Sequence, residues 1–525
     1  MKINGKQIKL LDCTLRDGGY YTNWEFTPEL VKRYLQAVNS LPIDYVELGY
    51  RSPDVSTYYG QYYYLPQSVL TQCATWCPNA RLALMLNLKE VDVESVVPLL
   101  ENISSYVYMI RMATRPTDIS KAKMIARVAK DYGLKVSINV MYMSEWIKQP
   151  SFAAELQGAE SLLDGMVMVD SYGAVYPQDI APCVHAIKKY YNGTIGFHGH
   201  DNMELAFANT LAAVEAGVDC VDATMLGMGR GAGNLKTELL LTYLSSLDSS
   251  ISLNTLMDTL SDFEALKQTY KWGTNLPYMI SGRYSLPQKE IMAWVTQKRY
   301  SAAQIVQRLQ SNVISKCESR SQSYPILEIR KDCPVVSILI GGGDSVPQHI
   351  NGILELIRKE CKQHPIQLVF SSSKHLHLFD DMPENVSRYI YMVGIEGRRL
   401  ERQMSSVRKQ DILVVTDQST IDAYIPDTLI SQTYSLGKQV KQEEIIYQDS
   451  PLCAAVRIAT YLRTAAIWMV GFDGYNMEDK SGSYDLMMET QTVIDYLTKE
   501  MPLYTLLPTK YKHLQMKPLY SLLSL

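Results

Sequence analysis

Residues 193–202 read Gly193-Thr194-Ile195-Gly196-Phe197-His198-Gly199-His200-Asp201-Asn202. The first half is a short apolar run of strand type. The second half turns polar at the point where such a strand would end. Histidines at i and i+2 on a strand point to one face, so His198 and His200 can reach one metal ion, and Gly199 leaves room between them. The chain holds only eight histidines, which makes the spacing informative.

Seven more runs of this kind surround it. They are Lys9–Asp17, Tyr45–Arg51, Ala80–Leu88, Tyr106–Ala113, Lys135–Met143, Gly165–Asp170 and Cys220–Leu226, with Gly193–Asp201 seventh in order. Segments such as Pro28–Ser40, Ser120–Tyr132 and Met203–Ala216 lie between them, with apolar residues at helical spacing. Several runs are apolar over most of their length, as strands buried on both faces are. Eight strand–helix units in about 230 residues predict an α/β fold of the (β/α)8 TIM barrel type, with a doubly wound open sheet as the alternative. The barrel is expected over residues 1–250.

In a barrel, functional groups gather at the C-terminal ends of the strands. Three ends here are unusually polar. Leu15-Arg16-Asp17-Gly18-Gly19 closes the first run, where Asp17 is an oxygen ligand or an ion-pair partner of Arg16. His198-Gly199-His200-Asp201-Asn202 closes the seventh. Gly227-Met228-Gly229-Arg230-Gly231-Ala232-Gly233-Asn234 follows the eighth, and its four glycines allow close backbone approach to a ligand. If strands one and seven share a layer, Asp17, His198 and His200 form a two-His-one-carboxylate set with positions open for substrate oxygens. Lys89, closing the third run, leaves a Schiff-base aldolase formally open, although nothing beside it favours a depressed pKa.

These three motifs, in this order, resemble the HMG-CoA lyase-like (DRE-TIM metallolyase) superfamily. The resemblance spans residues 8–250, with helical residues to about 310, and lies nearest the 4-hydroxy-2-oxovalerate aldolases. It implies an enzyme: an aldolase or lyase that makes or breaks a carbon–carbon bond through a metal-stabilised enolate of a pyruvate-like 2-oxo acid. It implies a divalent metal, Mn2+ or Mg2+ with Zn2+ or Co2+ as alternatives, on Asp17, His198 and His200, with Asn234 a ligand in some members. Arg16 matches the arginine that steadies the enolate oxygen. Gly229, Arg230 and Gly231 match the active-site loop, without the lyase's catalytic cysteine. Asp170, in Asp170-Ser171-Tyr172-Gly173, matches a substrate-binding segment. One departure stands out: the aldolases carry a catalytic histidine three residues after the metal-binding aspartate, where this chain has Tyr20. Imidazole and phenol titrate more than three pH units apart, so they are not interchangeable bases at neutral pH. Either the metal and Arg16 lower the Tyr20 phenol so that it serves as the acid–base group, or the base lies elsewhere and Tyr20 lines the pocket, or the chain acts on a different substrate. The alternatives are an acyl-CoA-dependent Claisen-type synthase of the isopropylmalate or homocitrate kind, or a non-catalytic metal-binding scaffold.

Beyond the barrel, residues 251–320 lose the strand signal. Leu253–Tyr270 and Ser301–Asn312 read as helices with Pro277 and Pro287 breaking the stretch between, and Ser311–Pro325 reads as a linker. A second, Rossmann-like α/β domain is expected over 325–525. It starts with the strand Val335–Ile340 and the turn Gly341-Gly342-Gly343-Asp344-Ser345 before a helix, an arrangement able to meet a phosphate. With Gly471-Phe472-Asp473-Gly474 it is weakly similar to sialyltransferase-like and pterin-pyrophosphokinase-like domains. That similarity implies a nucleotide or nucleotide-sugar at Gly341, Gly343, Ser345 and Asp473. His375-Leu376-His377 lacks a clear third ligand and reads as a loop or strand edge.

Composition narrows the partners. Of 525 residues, 46% are hydrophobic and 20% charged, as in a globular protein. Net charge is 51 − 55 = −4, so no global positive field exists to hold nucleic acid or an anionic membrane. No apolar run reaches membrane-spanning length, no secretory leader is visible, and nine sparse cysteines fit a reduced, cytoplasmic protein. The expected partners are a small 2-oxo acid and an aldehyde. A homo-oligomer stays an open reading.

Overall fold

The computed structural model describes residues 2–3, 6–296, 300, 302–314, 324–328, 335–383, 385–416, 421, 423–437, 449–475 and 483–524. The chain divides into two compact units, Met1–Met292 and Ala293–Leu525.

All eight expected strands form in the first unit. They are β1 (Lys9–Asp12), β2 (Tyr45–Tyr50), β3 (Arg81–Asn87), β4 (Met109–Thr114), β5 (Lys135–Val140), β6 (Gly165–Asp170), β7 (Thr194–Gly199) and β8 (Cys220–Ala223). Each pairs in parallel with its sequence neighbours, and β8 returns beside β1, so the sheet closes as a TIM barrel. β2, β6 and β8 are buried at every position, as a barrel wall covered by helices requires. The helices follow their sequence signals. Pro28–Asn39 opens on Thr27, whose hydroxyl accepts from the Leu30 amide, with Pro28 at the first helical position. Its buried face is Leu30, Val31, Tyr34, Leu35 and Val38, a stripe at helical period.

Two boundaries differ from expectation. The first strand ends at Asp12, and Thr14–Thr22 is a helix, α1, so Arg16 and Asp17 sit on its first turn rather than on the strand. Gly18 and Gly19 lie inside that helix instead of forming a turn. Added Cβ atoms would come within 2.6 Å of the Met228 sulfur and 2.1 Å of the Trp24 ring, so close packing requires both glycines. Pro277 also opens a helix, Leu276–Arg283, rather than breaking one. The Asn275 side chain caps the Tyr278 amide there.

The second unit carries an all-parallel sheet. Its strands are β9 (Val335–Ile340), β10 (Ile366–Phe370), β11 (Val386–Tyr391), β12 (Ile412–Val415), β13 (Thr433–Ser435), β14 (Thr464–Val470), β15 (Leu503–Thr505) and β16 (Gln515–Met516). They lie in the order β13-β12-β11-β10-β9-β14-β15-β16. Along β9, Ile338 and Ile340 enter one apolar cluster and Leu339 the other, so helices cover both faces. The order reverses between β9 and β14. Of the linker expected at 311–325, residues 315–323 lie outside the described residues.

Candidate active site

The site is assembled at the C-terminal rim of the barrel. β7 delivers His198 and runs on to His200, which forms an isolated antiparallel bridge with Asn234 in the loop after β8. α1 delivers Arg16 and Asp17. All five side chains are buried. The imidazole rings of His198 and His200 stand 5.0 Å apart. His198 Nε2 lies 3.5 Å from Asp17 Oδ2, and Asn234 Nδ2 donates to the same oxygen at 2.8 Å.

Both histidines are fixed from behind. His198 Nδ1 is 3.0 Å from Asp222 Oδ2, and His200 Nδ1 is 2.9 Å from the Asp170 carbonyl oxygen. A carbonyl only accepts, so His200 Nδ1 carries the proton and its Nε2 keeps a free lone pair. The Asp222 carboxylate orients His198 in the same way. Metal-binding histidines are held like this, through the other ring nitrogen. Burial and the neighbouring His198 pull His200 down to about 3, so the ring is neutral and ready to ligate. Burial alone would raise Asp17, but Arg16, His198 and His200 keep its carboxyl below the usual carboxylate range.

A divalent cation fits these residues. Asp17 supplies a charged oxygen and each histidine an imidazole nitrogen. Asn234 Oδ1 is buried with no hydrogen-bond partner, an orphaned acceptor beside Asp17. Cys13, which sequence reasoning passed over, has its sulfur together with ligand atoms of Asp17 and His198 within 4.8 Å of one another. Burial and the Asp17 charge push that thiol well above its ordinary range. It stays protonated, pointing at Asp17 Oδ2 (3.7 Å) and the Ala223 carbonyl (3.6 Å), so the nitrogen–oxygen set is the better donor group.

Beneath the rim an ion network extends the Arg16–Asp17 pair to three residues that were not among the sequence candidates. Arg16 pairs with Asp17 and, through Nε at 2.6 Å, with Glu47 on β2. Arg111 on β4 reaches Glu47 at 3.3 Å and Asp222 on β8 at 2.5 Å. Burial works against the Asp222 carboxylate, yet Arg111 and His198 bring it down to about 2. Glu47, Arg111 and Asp222 thus fix Arg16 and His198 in place. The available signal was a charge in the middle of each apolar strand: a buried strand tolerates one only when it is paired.

The other candidates divide. Tyr20 is half-buried on α1, its hydroxyl 2.9 Å from that of Tyr50. Both rings pack on Trp24, at 5.1 and 5.6 Å. Gly229 lies so close to Asn234 that a Cβ would come 2.4 Å from its amide nitrogen. Gly231 has φ +67°, and its carbonyl accepts from the Tyr21 hydroxyl at 2.9 Å. The Asp170 carboxylate accepts from the amides of Ala174 (3.0 Å) and Val175 (3.2 Å), and its backbone oxygen lies against His200 Nδ1. Burial raises that carboxyl to about 6 despite the two amides. In the second unit, Gly341, Gly343, Ser345 and Asp473 do come together, at the switch point between β9 and β14. There the Asp473 carboxylate accepts from the Ser345 amide at 2.9 Å.

The sequence profile of the HMGL-like family matches residues 7–269, half of the chain. The chain belongs to the HMGL-like family. A 4-hydroxy-2-oxovalerate aldolase from Geobacillus genomosp. 3 is 30% identical over 256 residues, covering 48% of this chain and 75% of that enzyme. An oxaloacetate decarboxylase from Mycobacterium tuberculosis is 26% identical over 306 residues, covering 57% of this chain and 90% of the relative. A crystal structure of the N-terminal domain of a Bacteroides vulgatus protein assigned as an aldolase is 44% identical, with a TM-score of 0.54, and covers 57% of this chain and all of that one. The Geobacillus and Mycobacterium relatives are thus an aldolase and a decarboxylase. No helix among the described residues is long and apolar enough to cross a membrane.

Proposed function

We propose that the barrel is a divalent-metal-dependent aldolase or lyase acting on a pyruvate-like 2-oxo acid. Asp17, His198 and His200 hold the cation, and Asn234 Oδ1 completes the set. The observation that carries this reading is the pair of histidines tied back at Nδ1 beside Asp17. When bound there, Mg2+ or Mn2+ supplies Lewis-acid polarisation of the 2-oxo carbonyl.

The chain's own groups do the rest. Arg16, held by Glu47 and Asp17, presents its guanidinium where negative charge collects on the substrate carbonyl oxygen as a bond to the adjacent carbon breaks. The site is buried, so that charge meets fixed dipoles instead of water. Tyr20 stands one helical turn after Asp17 and exchanges the proton of the aldehyde or alcohol oxygen. Tyr50, whose phenol burial keeps protonated, shares a hydrogen bond with the Tyr20 hydroxyl. 4-Hydroxy-2-oxovalerate itself is expected to be a poor substrate, because a phenol occupies the position of that enzyme's imidazole.

Deuterium uptake into the methyl group of pyruvate in D2O, read by mass spectrometry, tests this without knowledge of the aldehyde. Exchange that depends on Mg2+ or Mn2+ and is abolished by EDTA supports the proposal. No exchange above buffer with any of Mg2+, Mn2+, Co2+ or Zn2+ contradicts it.

A further inference from the structure

Two arginines beneath the mouth of the barrel are matched to carboxylates. Arg16 has Asp17 and Glu47, and Arg111 has Glu47 and Asp222. Arg230 has none: among the described residues no carboxylate lies within ion-pairing distance of it, and its buried Nε has no hydrogen-bond partner. The side chain is half-buried, with its guanidinium 5.4 Å from the centre of the Tyr20 ring.

The loop around it is built to hold that place. Gly229 packs on Asn234, Tyr21 pins the Gly231 carbonyl, and the Gly233 amide donates to the Arg230 carbonyl at 3.3 Å. A guanidinium partly withdrawn from water with only the Tyr20 ring beside it has its planar fork open for the two oxygens of a carboxylate or phosphate.

We infer that Arg230 is a subsite for a second anionic group on the substrate, a carboxylate or phosphate on the aldehyde-derived part. The inference rests on the reading of the metal site above. In that reading the 2-oxo carboxylate and carbonyl would be engaged at the cation and Arg16, and Arg230, its guanidinium over the ring of half-buried Tyr20, is left to meet the rest of the substrate.

Calorimetric titration of the Mn2+-loaded full chain tests it with three probes sharing one head group: 2-oxobutyrate, 2-oxoglutarate and 2-oxo-4-phosphonobutyrate. The expected result is at least about tenfold tighter binding of one or both dianionic probes than of 2-oxobutyrate, the size of a charge-assisted hydrogen bond. The better of the two identifies the group as carboxylate or phosphate. Arg230→Gln is expected to erase the preference. Arg230→Lys, a point charge without the fork, is expected to keep part of it. Equal affinity for all three probes in the wild type overturns the subsite and leaves the metal-site reading standing. A preference that survives in Arg230→Gln overturns the assignment to Arg230. Failure of even 2-oxobutyrate to bind overturns the metal-site reading, and the subsite falls with it.

Discussion

Two eight-stranded parallel sheets occur in this chain, and their C-terminal rims are built on opposite principles. On the barrel rim, groups converge and stay partly unmatched. Asn234 Oδ1 and Arg230 Nε are buried without partners, and the histidines are tied only at Nδ1. On the second rim, polar groups mostly satisfy one another. Asp473 accepts from the Ser345 amide and hydroxyl, Glu396 from Ser373 and Arg399, and Lys374 pairs with Asp344 at 2.9 Å. There His375 keeps an unpaired buried Nε2. Both rims carry glycine-rich turns after a strand. Glycines alone therefore do not separate the two rims; the convergence of Asp17, His198, His200 and Asn234 does. At the switch point of the second sheet, the Asp473 carboxylate occupies the amide that a phosphate would need.

Substitutions on the two rims should accordingly behave differently. The largest effect is expected from Arg16→Ala, which removes a preorganised partner of developing negative charge. Activity should fall about 10²–10³-fold, measured as pyruvate exchange, with metal content retained. An unchanged rate would place Arg16 among the structural ion pairs, like Arg388 with Asp411 in the second unit. Next comes Tyr20→Phe, expected to slow turnover on the true substrate at least about tenfold, toward the low end for a positioned acid–base group. Full activity with an unaltered pH–rate profile would make Tyr20 part of the pocket wall. The smallest effect belongs to the second rim. Asp473→Asn should lower stability by about 1 kcal/mol through its loss of charge-assisted bonds to Ser345, read from a denaturant midpoint, and leave pyruvate exchange unaffected. A loss of exchange in that variant would break the contrast between the rims.

Much of this architecture is legible in the sequence, because strands buried on both faces leave continuous apolar runs and Gly199 spaces two histidines on one face. The misread parts have physical causes. α1 was hidden by Gly18 and Gly19, poor helix formers retained for contact with Met228 and Trp24. The strands Thr433–Ser435, Leu503–Thr505 and Gln515–Met516 are two or three residues long, too short for any period to register. In the site, His198 and His200 announce themselves by spacing. Glu47, Arg111 and Asp222 do not, because their partners lie 24 to 111 residues away along the chain and meet only when the barrel closes. Asp170 shows the reverse: its motif is visible, but its carboxylate serves the loop of Ala174 and Val175.

The most direct test of the central claim is metal content after loading with Mn2+ and dialysis. Wild type and His375→Ala, a histidine of the second rim, are compared with His198→Ala and His200→Ala. The account predicts about one ion per chain in the first two proteins and loss of most of it in the last two. Equal metal content in all four would contradict a metal centre at Asp17, His198 and His200.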